Sequence, residues 1–376
     1  MEGKQRFLYI GGFKLPDKNA AALRVMANAK ALRELGHEVC FINYDPEEFI
    51  SAEREVFYQG FKCFLEPKES LLSHLCGVKT VKRIIEQVKI TAIIAYNYPS
   101  IALNRLISFC RRKQIRCFAD VTEWYFYSKG IRNRWIKNAD SSFRMKHVHF
   151  KMDGIIAISD YIYNYYQKTV KTIKIPPLVD IKEDKWLRDE KQYTDTLSLC
   201  YAGQPTKDKE RLDLIVEAVD ELPDSKKVSL SVIGITEQEY RQIYKKQIGS
   251  GRVRFLGRIP NTDVIRHTMN SDWSIVIREN NLAVKAGFPT KIVESISCGT
   301  PVIANSFSNI SEYLDDTNSI LISSLEETKK AIEKASSIRL APNRFLFDYH
   351  KYLNSFSFLL QQSNKKDEQV LTAIQY

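Results

Sequence analysis

Residues 286–305, AGFPTKIVESISCGTPVIAN, hold the densest grouping of side chains suited to chemistry in this chain. Gly287, Phe288 and Pro289 make a turn, and a short helix follows with Thr290 and Lys291 at its start. Gly299 ends that helix before Pro301 opens the apolar strand Val302-Ile303-Ala304. The first backbone N–H groups of a helix have no intrahelical acceptor and carry the positive end of its dipole. A phosphate or a sugar hydroxyl is therefore held well beside Thr290 and Lys291. Glu294 stands one turn further in, where its carboxylate can accept two hydroxyl hydrogen bonds of the kind a vicinal diol such as ribose offers. The combination suits a sugar nucleotide, and the plain alternative is a solvated carboxylate on a short amphipathic helix.

A second grouping follows the apolar run LSLCYAG, which ends at Gly203. Lys207, Lys209 and Arg211 come next, ahead of a helix with Leu212, Ile215, Val216 and Val219 on one face. A cation there, opposite the Glu294 helix, clamps a diphosphate from a second side. The strand SDWSIVIREN ends at Arg278, beside the first motif. In the first half, the strand IRCFADV delivers Asp120, with Glu123 and Trp124 just beyond. Two carboxylates beside aromatics suit orienting a sugar or taking a hydroxyl proton, and equally suit an N-cap and a turn.

The elements that position these groups repeat as strand, turn and helix. RFLYI is a first strand closed by Gly11-Gly12, and a helix from Ala20 buries positions 22, 25, 26, 29 and 32. Gly36 ends it before EVCFINY. This opens a doubly wound parallel sheet, whose crevice at the strand carboxyl ends takes in Gly11, Gly12 and the segment up to Arg24. Residues 45–70 read as irregular. Helices near 78–88 and 99–113 then alternate with ITAIIAY and IRCFADV, and DGIIAIS and the helix YIYNYY follow. Residues 182–195 are polar and read as a linker. A second strand–helix series follows with VSLSVIG, ending at Gly234, and RVRFLGRIP, carrying Arg258 and Ile259.

In order and content these pieces resemble family 4 glycosyltransferases of the GT-B fold. The run ESISCGTPVIAN matches their donor-binding signature, and IAIS, a helix and IPPLVD match the close of their N-terminal domain. The resemblance spans roughly residues 6–345. It implies an α/β fold of two Rossmann-like domains facing a cleft: residues 1–185, with a C-terminal helix near 345–363 crossing back to pack on them, and residues 190–344. It implies retaining transfer of a sugar from an NDP-sugar, UDP-sugar favoured, to a glycan or lipid-linked acceptor in surface polysaccharide assembly.

The same resemblance assigns roles. Glu294 contacts the nucleotide ribose. Lys209 holds the leaving phosphate, with Lys207 or Arg211 as substitutes and Arg278 beside them. Gly12, Gly203, Gly234, Arg258, Ile259, Gly287, Phe288, Pro289, Thr290 and Lys291 line the donor, and Asp120 or Glu123 faces the acceptor. No cofactor or metal is implied beyond the NDP-sugar. The family's first motif glutamate falls at Ala286, a departure where the transferred hexose is often touched. The rival readings are a catalytically idle sugar- or partner-binding protein on this fold and a sugar-nucleotide epimerase.

Composition narrows the setting. The chain has 376 residues, enough for two ordinary domains. Its seven scattered cysteines lack any C-x-x-C pair, which fits reduced thiols rather than a disulfide frame or zinc site. His147 and His149 have no third ligand nearby. The start has no secretory apolar region and no run of eighteen apolar residues occurs, so a cytoplasmic protein is expected. Residues 1–190 hold 32 Lys and Arg against 22 Asp and Glu, so nearly all of the net +11 lies in that half. Within residues 129–152, Lys129, Arg132, Arg134, Lys137, Arg144, Lys146 and Lys151 alternate with Trp135, Phe143 and Phe150. That pattern suits an anionic membrane face, with nucleic acid the less favoured partner.

Overall fold

The computed structural model describes residues 3–44, 54–67, 70–124, 132–188, 191, 194–206 and 209–361. The chain forms two compact units, Met1–Leu178 with Tyr349–Tyr376, and Val179–Asp348.

The first unit is built on eight strands: β1 (Arg6–Gly11), β2 (Glu38–Asn43), β3 (Glu55–Tyr58), β4 (Phe61–Leu65), β5 (Ala92–Tyr96), β6 (Arg116–Val121), β7 (Gly154–Ala157) and β8 (Thr172–Lys174). They lie in the order β3-β4-β2-β1-β5-β6-β7-β8, parallel throughout except for the antiparallel β3–β4 pair. Central strands covered on both faces need continuous apolar sequence, and Phe7, Leu8, Tyr9 and Ile10 of β1 are all fully buried. The helix Ala20–Glu34 starts where the Asn19 side chain accepts the Ala22 N–H at 2.8 Å. It buries Ala22, Val25, Met26, Ala29 and Leu32 in the core and stops before Gly36, whose φ is +86°.

The stretch read as irregular contains a hairpin, β3–β4, whose turn places Gln59 at φ +49° and Gly60 at φ +80°. At the far end of the chain, the helix Leu353–Leu360 brings Phe356, Leu359 and Leu360 into the same core as Phe7, Phe118 and Ile156. The chain therefore does return to its first unit, as the sequence led one to expect.

The second unit carries β9 (Leu197–Ala202), β10 (Val228–Ile233), β11 (Val253–Gly257), β12 (Trp273–Val276), β13 (Val302–Asn305) and β14 (Ser319–Ile322). All pair in parallel in the order β11-β10-β9-β12-β13-β14. Leu199, Tyr201, Leu230, Val232, Ile275 and Ile303 pack its core with Leu212, Ile215, Val216 and Val219 of the helix Leu212–Asp220. The division between the units falls at Leu178, earlier than the polar segment 182–195 suggested. The reason is local bonding within the second unit. The Val179 N–H donates to the Phe347 carbonyl at 3.0 Å, and the Ile181 N–H donates to Asp348 Oδ2 at 3.1 Å. Trp186 is buried with Ile265, Met269 and Cys298.

Candidate active site

The helix Thr290–Cys298 leaves its turn with Pro289 at the N-cap, a residue with no side-chain acceptor to offer its first N–H groups. Phe288 anchors the turn below, its ring edge-on to Tyr313 at 5.4 Å and to Phe347 at 6.1 Å. Ser308 Oγ donates to the Gly287 carbonyl at 2.7 Å. Gly299 ends the helix at φ +74°, and Arg188 and Arg344 donate to the carbonyls of Cys298 and Ser297 there, capping the negative end of the dipole. The helix thus presents a positive start with its other end neutralised.

Glu294 is half-buried on this helix, and no hydrogen bond or ion pair to it occurs among the described residues. Burial pushes its carboxyl up to about 7, against the pull of the Lys185 and Lys291 charges. Lys185 belongs to the short helical turn Asp184–Trp186 and had no place in the sequence reading. A half-buried carboxyl without a protein partner is poised to accept hydroxyls from a ligand.

Lys291 turns from the helix start across the end of β9. A Cβ on Gly203, whose φ is +147°, would stand 2.1 Å from Lys291 Cε, so only glycine lets the lysine stem cross there. Gly234 closes β10 under a like constraint: a Cβ would lie 2.3 Å from the Gly203 carbonyl oxygen. Lys291 Nζ donates to the Tyr201 hydroxyl at 3.0 Å, sits 4.3 Å over that ring, and pairs with Glu210. The other oxygen of Glu210 accepts from Arg278 Nη2 at 2.8 Å, and the Tyr201 hydroxyl donates to Glu210 Oε2. Asn305 Oδ1 of β13 accepts the Arg278 N–H at 2.8 Å, fixing its backbone. The site gathers two cations, a buried carboxylate and a helix start. That suits binding a diphosphate beside a ribose.

Lys209 is half-buried near this group with no ion-pair partner among the described residues, while Lys207 lies outside them. Arg211, named as a substitute, is committed elsewhere. Its Nε and Nη2 bond both oxygens of Asp213 at 3.0 Å, and its Nη1 bonds Glu279 at 3.0 Å. That is a correction, because few donors remain to it for a phosphate. Arg258 is exposed and paired with Glu239 at 2.7 Å, with Ile259 half-buried beside it. Ala286 is fully buried and has no polar side-chain group to offer a sugar. Among the described residues no three His, Cys, Asp or Glu side chains are grouped to hold a metal.

Residues 196–337 match the family model described as glycosyl transferases group 1. Over those residues the chain carries a glycosyl transferases group 1 domain, and its two units have the GT-B fold. Sucrose-phosphate synthase from Thermosynechococcus elongatus is similar with a TM-score of 0.66 at 14% identity, over 95% of this chain and 98% of that one. Anabaena HepE in complex with UDP and glucose gives 0.64 at 14% identity, over 94% and 98%. The lipopolysaccharide outer core galactosyltransferase WaaB in its apo form gives 0.61 at 13% identity, over 94% and 99%. No curated protein sequence matches.

On the first unit, Asp120 is not free to meet an acceptor. It is fully buried, with Arg24 Nε and Nη2 on one oxygen at 2.9 and 2.8 Å and the Tyr9 hydroxyl and Asn28 Nδ2 on the other at 2.6 and 3.2 Å. This corrects the sequence reading: the carboxylate is the centre of a structural ion pair. Arg24 is likewise withdrawn from any crevice, donating also to the carbonyls of Ile175 and Pro176. Glu123 is half-buried beyond β6, next to buried Trp124, and Gly12 is exposed past β1. Within residues 129–152, Lys129 and the side chains of Arg132 and Arg134 lie outside the described structure. Arg144 is buried and bonds Asp140 at 3.0 Å and the Tyr98 carbonyl at 3.1 Å, so it leaves the basic surface. Lys137, Lys146 and Lys151 remain exposed, with Trp135 76% exposed and Phe143 and Phe150 exposed as well. No helix among the described residues is long and apolar enough to cross a membrane.

Proposed function

We propose that this protein is a glycosyltransferase that moves a sugar from a nucleoside-diphosphate sugar, UDP-sugar favoured, to a glycan or lipid-linked acceptor, with retention at the anomeric carbon. The observation that carries the reading is the unpartnered, half-buried Glu294 on the helix whose start bears Lys291. Glu294 accepts the ribose hydroxyls. Lys291, Arg278 and the helix start take up the charge that grows on the diphosphate as its bond to the anomeric carbon breaks. Lys209 adds a further cation. The acceptor hydroxyl forms the new bond to that carbon and passes its proton to the departing phosphate oxygen, with Glu123 orienting the acceptor. In this reading the positive charge at the departing diphosphate comes from these groups, with no metal invoked.

Release of nucleoside diphosphate from a panel of sugar nucleotides, with and without acceptor glycans, tests the reading. Acceptor-dependent release with one donor is expected. Binding of diphosphates without release from any donor favours an idle binding protein, a reading that Ala286 makes worth separating. Product sugar altered at one carbon favours an epimerase.

A peripheral role at the inner membrane face accords with the exposed Trp135, Phe143 and Phe150 beside Lys137 and Lys146. Each such cation near an anionic bilayer contributes about 1 kcal/mol. WaaB, one of the similar structures, is named as acting on a lipopolysaccharide core. Co-sedimentation with vesicles containing phosphatidylglycerol is expected at low salt and is expected to drop for Lys137→Glu/Lys146→Glu. Equal binding to neutral vesicles, or capture of the protein by a competing oligonucleotide, sinks the membrane proposal.

A further inference from the structure

We propose that Glu210 is a positioning residue of the donor site: its carboxylate, held by Arg278 on one oxygen and by Lys291 and Tyr201 on the other, fixes both cations at the start of the helix Thr290–Cys298 and keeps Lys291 charged. The proposal rests on reading this site as one for a nucleoside diphosphate.

An anion buried beside a phosphate site is on its face a poor choice, because it repels the ligand. Glu210 is 4% exposed, so it is not a surface group that a ligand pushes aside into water. Its worth lies in what it does to its neighbours. Four groups face Lys291: Tyr201 from β9, Glu210 from the segment before the helix Leu212–Asp220, Arg278 from the end of β12, and Glu294 from the lysine's own helix. Burial pushes the Lys291 ammonium down to about 8, with Arg278 adding to the effect and Glu210 opposing it more strongly than Glu294 does. Arg278 and Lys291 carry one positive charge more than the Glu210 carboxylate they share, and that excess is what a diphosphate meets. Without Glu210, Arg278 and Lys291 repel each other in a site shielded from water, and the lysine sheds its proton near neutral pH.

The backbone reinforces the arrangement. The Tyr244 hydroxyl donates to the Glu210 carbonyl at 3.0 Å, and Glu210 bridges to Arg278 in an isolated β-pairing. The lysine stem is confined by the Gly203 surface it crosses. Glu210 acts through Lys291 and Arg278 and needs no contact with the donor.

Glu210→Gln keeps the shape and removes the charge. Lys291 is followed directly by NMR of 13Cε-labelled lysine in the ligand-free enzyme, its resonance assigned by its absence from Lys291→Arg. The Lys291 titration midpoint is expected to fall by about one pH unit or more in Glu210→Gln. Affinity for uridine diphosphate at pH 7.5 is expected to fall roughly tenfold or more, while that for uridine is unmoved. Should the glutamine variant fail to fold, Glu210→Asp withdraws the carboxylate by one methylene and is expected to lower the midpoint by a smaller step. An unchanged Lys291 midpoint in a folded Gln or Asp variant overturns the proposal. A lowered midpoint in a protein that binds no nucleoside diphosphate of uracil, adenine or guanine upholds the hold of Glu210 on Lys291 and instead sinks the donor-site reading.

Discussion

Replacing Glu294 with Gln is expected to stabilise the protein at pH 8 while weakening its grip on nucleoside diphosphates. The carboxyl is held by burial at about 7, against an ordinary value of 4.5. An acid whose pKa is higher folded than unfolded keeps its proton longer in the native state. Stability therefore falls as pH rises from about 4.5 to about 7 and stays at that deficit above. The shift corresponds to about 3 kcal/mol of destabilisation at pH 8, which the neutral amide avoids. In a domain of this size each kcal/mol moves the melting temperature by about 2–4 °C. The gain should be near zero at pH 4.5 and full at pH 8; a gain independent of pH means that something other than ionisation separates the variants. The cost appears in binding. Losing a charged hydrogen bond to the ribose is worth about 1.5–3 kcal/mol, so Glu294→Ala should weaken diphosphate binding roughly 10- to 150-fold. A residue that destabilises its own fold and strengthens a ligand is what a functional carboxylate looks like energetically.

Some of this was legible in the sequence because it is local. Helix periodicity and the glycines after strands placed most elements, and the Glu294 helix was visible in twenty contiguous residues. The β3–β4 hairpin was hidden because its turn is Gln59-Gly60, where the left-handed first residue is a glutamine rather than the asparagine or aspartate that advertises such a turn. Glu210 was hidden for another reason. It sits between Lys209 and Arg211 and drew no notice, yet its partners Tyr201 and Lys291 stand nine residues before and 81 residues after it. Cations within a short run looked equivalent, whereas contacts made at a distance separate them: Arg211 turns to Asp213 and Glu279, and Lys291 reaches across from another helix. A carboxylate at a strand end raises the same difficulty. Its neighbours in sequence do not reveal whether it faces solvent or an arginine 96 positions away.

Asp120 therefore supplies the prediction that separates structure from catalysis most sharply. If it served the acceptor, Asp120→Asn would slow transfer and leave stability nearly intact. The observed burial argues the reverse. Asp120 and Arg24 have side chains 0% and 2% exposed, and the carboxylate is shared with Tyr9 and Asn28. Removing one partner of such a pair strands the other charge in a medium that cannot solvate it, at a cost of about 3–5 kcal/mol. Arg24→Met and Asp120→Asn should each lower the free energy of unfolding measured in urea by amounts in that range. The double variant should cost less than the sum of the two, since neither charge is then left alone. Tyr9, whose hydroxyl is kept protonated by burial and by the Asp120 charge, offers a control: Tyr9→Phe removes a single neutral donor and should cost closer to 1 kcal/mol. Additive losses in the double variant, or an Asp120→Asn protein as stable as the wild type yet inactive in transfer, would return Asp120 to the acceptor site. Coupled losses in stability make it the bolt that joins the helix Ala20–Glu34 to the end of β6.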